Sequence, residues 1–284
     1  MQSFDYNSAY FDGKMADWTS FSIGEISARL LATFKSQPFP RDGVALDFGC
    51  GTGPYLPYLK ESALEVIGLD ISQEALKKAG QQAYKSVQLV DQGKAPLPDQ
   101  SAAIVFSTEV LEHIEDAEAA IKEFHRLLKA DGLLILTTTM YFSSINVYLA
   151  TAIQEKHPPL KILREVLHYS LGFLSRQQQR SFVLQWCFRP LGGHFHGFKP
   201  GDLKKMISAA GFQITETHPL YIFEPIGFCR FSTVQSVNAS FRFPLKLPIL
   251  AVVLLISAAN VCLKTFKIGA NNIYLVAKKL PAAA

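Results

Sequence analysis

At the end of the apolar run Val44-Ala45-Leu46-Asp47-Phe48 the chain sets Gly49, Gly51 and Gly53 at alternate positions around Cys50 and Thr52. Glycines so spaced let the backbone turn sharply and come close to a ligand. A helix beginning just after them would present free N–H groups. About 20 residues on, Asp70 ends a second apolar run, where a carboxylate can accept from both hydroxyls of a ribose. Such charge-assisted bonds are worth roughly 1.5–3 kcal/mol. Asp47 and Asp70 could each be an ordinary cap or turn residue; both together, with the glycines between, read as a nucleoside site. The dinucleotide fingerprint GxGxxG fails on spacing, since Pro54 and Leu56 occupy the places of its last glycine.

Three histidines stand where a proton could be moved. His113 closes STEVLEHI, and His194 and His196 lie in GGHFHGF. In an extended segment the latter two point to one face. Each could instead be a structural histidine bonded to backbone. A metal site would need a third ligand, none is near in sequence, and no metal is expected.

The elements that must position these residues alternate along the chain. Ile23, Ile26, Leu30 and Phe34 fall at helical spacing over about 18–35. VALDF (44–48), EVIGLDI (65–71), SVQLVD (86–91), AAIVFSTEVL (102–111) and LLILTTTM (133–140) read as strands, with helices between them. Ser72 is placed to cap the helix SQEALKKAGQQA, and Asp131-Gly132 to end the helix over 114–132. Buried strands separated by helices mean a parallel sheet covered on both faces. A helix at KPGDLKKMISAAGF, a sixth strand (212–218) and a β-rich end, NIYLVAKKL (272–280), complete the pattern. Two stretches, 140–199 and 219–271, interrupt it.

The 284 residues are 49% hydrophobic and 18% charged, with a formal charge of +4. That charge is too mild to argue for nucleic acid, and no nucleic-acid partner is expected. It suits attraction to an anionic membrane surface. Cys50, Cys187, Cys229 and Cys262 are widely spaced and read as free thiols in a reducing compartment. The polar N-terminus lacks the apolar core of a signal peptide, so a cytoplasmic protein, at the membrane face, is expected.

The loop Asp-x-Gly-x-Gly-x-Gly (47–53) resembles motif I of the class I S-adenosylmethionine-dependent methyltransferases. VIGLDIS resembles the family's second motif, QLVDQGKAPLPDQSAAIVFSTEVLEHI its third and fourth strands, and FHRLLKADGLLILTT its fifth. HFHGFKPGDLKKMISAAGF is similar to the helix before its sixth. Coverage is about 40–280, and the small-molecule branch that includes quinone-biosynthesis methyltransferases is the nearest in pattern. The resemblance implies a Rossmann-like α/β fold with a seven-stranded, mostly parallel sheet, an antiparallel last strand, helices on both faces and two helical insertions. It implies S-adenosyl-L-methionine as cofactor. Asp47 would help hold the methionine ammonium, Gly49, Cys50, Gly51 and Gly53 would wrap the ligand, and Asp70 with Ile71 would meet the ribose. Asp91 would reach the adenine amino group, with Gln92 beside the ring, and Thr108 would lie at the cofactor end of strand four. One departure stands out: Ala102-Ala103 replace the family's usual Phe-Asp before the valine of strand four.

Methyl transfer from a sulfonium is a direct displacement, governed by alignment and exclusion of water. A hydroxyl or carbon nucleophile can also need a base, for which His113, His194 and His196 are the candidates. The resemblance implies one methyltransferase domain over 1–284, with a substrate lid at 140–199 and a hydrophobic insertion at 219–271. Leu160, Leu163, Leu167, Leu171 and Leu174 share one helical face, suited to a membrane interface or to a lid over the pocket. LPILAVVLLISAANVCL (247–263) is uncharged and about 25 Å long as a helix, against roughly 30 Å for a bilayer core. It lies between strands that must pair, so a single crossing would part them. Peripheral, monotopic or re-entrant membrane contact, a pocket or dimer helix, and a true span are the readings, and oligomeric state is open. The expected acceptor is an oxygen or carbon of a lipophilic small molecule: a quinone precursor, a prenylated aromatic or a lipid-linked intermediate. The rival readings are a protein or nucleic-acid methyltransferase and a catalytically silent membrane-associated scaffold.

Overall fold

The structure, a computed structural model, describes residues 15–81, 84–89, 94–140, 193–220 and 272–281, with 161, 164, 177 and 178. The chain forms two compact units. One comprises 1–138, 199–220 and 273–284; the other comprises 139–198 and 221–272. The first holds the sheet.

Its strands are β1 (Val44–Phe48), β2 (Glu65–Asp70), β3 (Ser86–Leu89), β4 (Ala102–Thr108), β5 (Leu128–Thr139), β6 (Phe212–Leu220) and β7 (Asn272–Lys279). The order across the sheet is β3-β2-β1-β4-β5-β7-β6. From β3 to β5 all neighbours are parallel. β7 runs against them. Lys279, at its end, donates to the carbonyls of His125 and Leu128 at the start of β5, and the Leu280 amide donates to the Gly211 carbonyl just before β6. The central strands are apolar throughout because both their faces are covered; Leu46, Ile104, Val105, Phe106, Leu134 and Ile135 are fully buried.

The helices are α1 (Met15–Ser36), α2 (Leu56–Leu59), α3 (Gln73–Ala79), α4 (Ala117–Leu127) and α5 (Pro200–Ala209). The chain steps from β1 to β2 to β3 in one direction and from β1 to β4 to β5 in the other. Right-handed crossovers then put α2 and α3 on one face and α4 on the other. α1 touches α2, and α4 touches α5. The reversal opens a crevice between β1 and β4, at the carboxyl ends of the strands, where such sheets bind ligands. The glycine loop begins there.

Local chemistry explains the helix ends. Ser72 Oγ accepts the Ala75 amide at 3.3 Å and caps α3 as expected, and Asp116 Oδ1 does the same for the Ala119 amide of α4 at 2.9 Å. Pro200 opens α5, where its missing N–H costs nothing.

Two boundaries differ from the sequence reading. The helix expected over 114–132 runs only from Ala117 to Leu127, and Leu128 already pairs with Ala102 as the first residue of β5. Asp131, at φ 62°, is a left-handed residue inside the strand rather than a helix stop, and it sits where the register of β5 slips between Ala102 and Ile104. The fourth strand stops at Thr108 instead of Leu111. Glu109 turns left-handed at φ 54°, and a single 3₁₀ turn, Leu111–His113, follows. The lid helix and the run 247–263 lie outside the described residues. Among the described residues no helix is long and apolar enough to cross a membrane.

Candidate functional site

The loop after β1 is built on backbone hydrogen bonds. The amides of Gly49 and Cys50 both donate to the Leu69 carbonyl, at 2.7 and 2.9 Å, and the Gly53 amide closes a turn on the Cys50 carbonyl at 2.9 Å. Gly49 and Gly53 sit at φ 78° and 89°, where a side chain is strained. Space is short as well: a β-carbon on Gly49 would fall 2.2 Å from Val110 Cγ2. The loop and the turn after β4 therefore touch across the crevice.

Asp70 secures the other side. Its Oδ2 accepts the Gly51 amide and its Oδ1 the Ser72 amide, both at 2.8 Å. Each oxygen keeps a lone pair for a further donor. Burial pushes its carboxyl above the ordinary aspartate range, opposed by those backbone bonds. The next residue, Ile71, is 60% exposed, an apolar surface laid open beside the carboxylate. At the end of β4 the Thr108 hydroxyl oxygen is buried without a partner among the described residues. An acceptor pair, an open apolar surface, an orphaned hydroxyl and a glycine-rich loop suit a nucleoside bearing a polar tail.

Asp47 lies at the root of the loop, 3% exposed. Burial pushes its carboxyl up to about 7, Tyr84 opposes the rise with a hydrogen bond, and the charge of Asp70 adds to it. Two buried carboxyls side by side favour a cationic ligand. Cys50 packs with Leu76, Ala79 and Tyr84, and burial pushes its thiol up, so it serves the loop through its backbone.

The remaining sequence-derived residues fall in different places. His113 ends the 3₁₀ turn after β4, half-buried, its amide bonded to the Val110 carbonyl at 2.9 Å. His194 and His196 belong to the second unit. There His194 is buried and His196 stacks on Phe198, centroids 5.2 Å apart. Asp91 and Gln92 lie outside the described residues.

Sequence reasoning missed three partnerships. Tyr84 O–H donates to Asp47 Oδ2 at 2.5 Å. At the ends of β4 and β5, Thr137 Oγ1 donates to Glu109 Oε1 at 2.8 Å and Thr138 Oγ1 to Glu112 Oε2 at 2.7 Å. Glu112 is fully buried; burial first, then the neighbouring Glu109, hold its carboxyl well above the ordinary range. The available signal was the polar run Thr137-Thr138-Thr139 ending an apolar strand.

A family model described as a methyltransferase domain matches residues 19–217, which take in the loop, Asp70 and the turn after β4. This chain belongs to the methyltransferase-domain family. S-adenosylmethionine is its cofactor and methyl transfer its activity. The methyltransferase is 29% identical to a ubiquinone biosynthesis O-methyltransferase from Idiomarina loihiensis over 212 residues, 72% of this chain and 74% of that protein. It is 33% identical to a malonyl-[acyl-carrier protein] O-methyltransferase from Hamiltonella defensa over 94 residues, 33% of this chain and only 36% of that protein. Phosphoethanolamine N-methyltransferase 2 of Haemonchus contortus, solved with S-adenosyl-L-methionine, shares the fold at a TM-score of 0.54 and 18% identity. That likeness covers 99% of this chain and 61% of the other.

Proposed function

We propose that this methyltransferase acts on an oxygen or carbon nucleophile of a lipophilic small molecule, such as a quinone precursor, a prenylated aromatic or a lipid-linked intermediate. The observation that carries the reading is the extent of the likeness to the ubiquinone biosynthesis O-methyltransferase. An alignment over 72% of a 284-residue chain cannot avoid residues 140–199, the stretch that this reading takes as the substrate lid. One malonyl-[acyl-carrier protein] relative matches over only a third of the chain, but a second, from Enterobacter lignolyticus, is 31% identical over 66% of the chain and 70% of that protein, so a malonyl thioester is the rival acceptor that the test must separate. Both kinds of relative are named O-methyltransferases, which favours oxygen.

The cofactor, when bound, supplies an electrophilic methyl on a sulfonium. In this reading Asp70 accepts from the ribose hydroxyls and Ile71 offers it an apolar flank. Asp47 faces the methionine ammonium and Thr108 bonds the polar tail. Asp91 and Gln92 meet the adenine. His113, His194 or His196 takes the proton of the acceptor hydroxyl. The apolar run 247–263 suits contact with a membrane from one side, where such substrates reside.

The test is transfer of labelled methyl from S-adenosylmethionine to three acceptors: a prenylated catechol, malonyl-[acyl-carrier protein] and a short peptide. Label in the methoxy group of the catechol alone is expected. Label only in the thioester-borne carboxylate or the peptide overturns the reading. Flotation with liposomes, with and without residues 244–266 altered, checks membrane contact; full recovery in the soluble fraction at low salt counts against it.

A further inference from the structure

Tyr84 is joined to three parts of the cofactor half. Its hydroxyl donates to Asp47 Oδ2 at 2.5 Å, across 37 residues of sequence. Its ring packs on Cys50, in the middle of the glycine loop, and on Leu76 and Ala79 of α3. The residue stands just ahead of β3, whose neighbour in the sheet is β2. A tyrosine in an apolar cluster needs only some acceptor for its O–H. This one is aimed at the carboxyl from which the loop departs, engaging Oδ2 and leaving Oδ1 for a ligand.

We propose that Tyr84 is a positioning residue for cofactor binding: its hydroxyl fixes the Asp47 carboxylate, in its ionised form, to receive the ammonium of S-adenosylmethionine. The inference rests on the reading that Asp47 meets that ammonium. The groups acting on Asp47 are the Tyr84 hydroxyl from the segment before β3, Asp70 from β2 and Cys50 from the loop itself. Burial and Asp70 favour the neutral carboxyl; the phenol alone of these favours the anion. Without the phenol the Asp47 carboxyl is pushed further toward its neutral form and offers less charge at neutral pH. The ring carbons of phenylalanine would still fill the space against Cys50, Leu76 and Ala79, so packing and charge can be separated.

The experiment compares wild type, Tyr84→Phe and Asp47→Asn by calorimetric binding from pH 6 to 9. Two ligands are used: S-adenosylmethionine, and 5′-methylthioadenosine, which lacks the ammonium. Expected for Tyr84→Phe is S-adenosylmethionine binding about tenfold weaker at pH 7. Its pH midpoint should move up by about one unit, with recovery at pH 9 and unchanged 5′-methylthioadenosine affinity. Asp47→Asn should weaken S-adenosylmethionine at every pH. Equal losses for both ligands at all pH values would mean a merely structural tyrosine and overturn the proposal. So would an unchanged Tyr84→Phe beside a weakened Asp47→Asn. An unaffected Asp47→Asn removes the underlying reading of Asp47 itself. Should Tyr84→Phe fail to fold, 3-fluorotyrosine at position 84 keeps the ring and strengthens the donor. The pH midpoint should then fall, and an unmoved midpoint overturns the proposal.

Discussion

The Gly51 amide donates to Asp70 Oδ2 at 2.8 Å, tying the glycine loop to the end of the neighbouring strand. The opposite oxygen holds the Ser72 amide. Asp70 is thus a structural clamp before any ligand arrives. Asp70→Ala strands two backbone donors, at about 1–3 kcal/mol for each that water cannot reach. We expect the melting temperature to fall. We also expect S-adenosylmethionine binding to weaken about 100-fold, from two lost bonds to charge. Calorimetry at a temperature where the variant is still folded separates the two effects; equal binding by variant and wild type would refute the assignment.

Gly49→Ala should be among the most damaging single-methyl changes in the protein. The new carbon meets Val110 Cγ2 at 2.2 Å, on a backbone at φ 78°. Left-handed strain of about 1–2 kcal/mol and overpacking of about 1–3 kcal/mol act together. Val110→Ala in the same chain should restore the second part and not the first. A double-mutant cycle by urea denaturation reads the coupling, and purely additive losses would show that the two sites do not press on each other.

Asp47 makes the cofactor-free protein depend on pH. Its carboxyl titrates near 3.8 when unfolded and about 7 when folded, so the folded state prefers the neutral form. The contribution of Asp47 to stability is therefore greatest below about pH 4, falls as pH rises through the interval to 7, and stays low above it. Asp47→Asn removes this slope and should raise stability at pH 8, by up to about 4 kcal/mol. Differential scanning calorimetry across pH 4–8 provides the check. Binding of a cationic ligand should expel the remaining proton, visible as heats that vary with buffer ionisation enthalpy near pH 7.

Glu112 is raised in the same direction. It is fully buried, burial and then Glu109 hold its carboxyl well above the ordinary glutamate range, and Thr138 already donates to its Oε2. Glutamine keeps that acceptor and offers an N–H toward Glu109. Glu112→Gln should stay within about 1 kcal/mol of wild type at pH 7, whereas Glu112→Ala leaves a cavity and an unpaired hydroxyl at a cost of about 2–5 kcal/mol. Chemical denaturation of both variants decides; a crippled glutamine form would show that the charged carboxylate is needed.

What the sequence disclosed was local. The alternate glycines, Asp70 and the Ser72 cap are set by residues within a few positions of one another, and apolar runs announce buried strands. The end of α4 was misplaced because Asp131-Gly132 has the composition of a helix stop. In the fold, Lys279 supplies the bonds that the carbonyls of His125 and Leu128 need, from more than 150 residues away, and releases the chain into β5 early. Tyr84 on Asp47 and Thr138 on Glu112 were invisible for the same reason. Each joins residues on different strands or turns, and no periodicity connects them.

β6 and β7 are neighbours in the sheet and run in opposite directions, the Leu280 amide meeting the Gly211 carbonyl at one end, so that β6 ends and β7 begins at the other. The intervening 221–271 thus departs and returns at adjacent points of a ladder that needs none of it to close. Evolution can lengthen, shorten or exchange that stretch as a cassette while the loop, Asp47 and Asp70 keep their places. The means of holding the methyl donor then stay fixed whatever takes the place of that stretch.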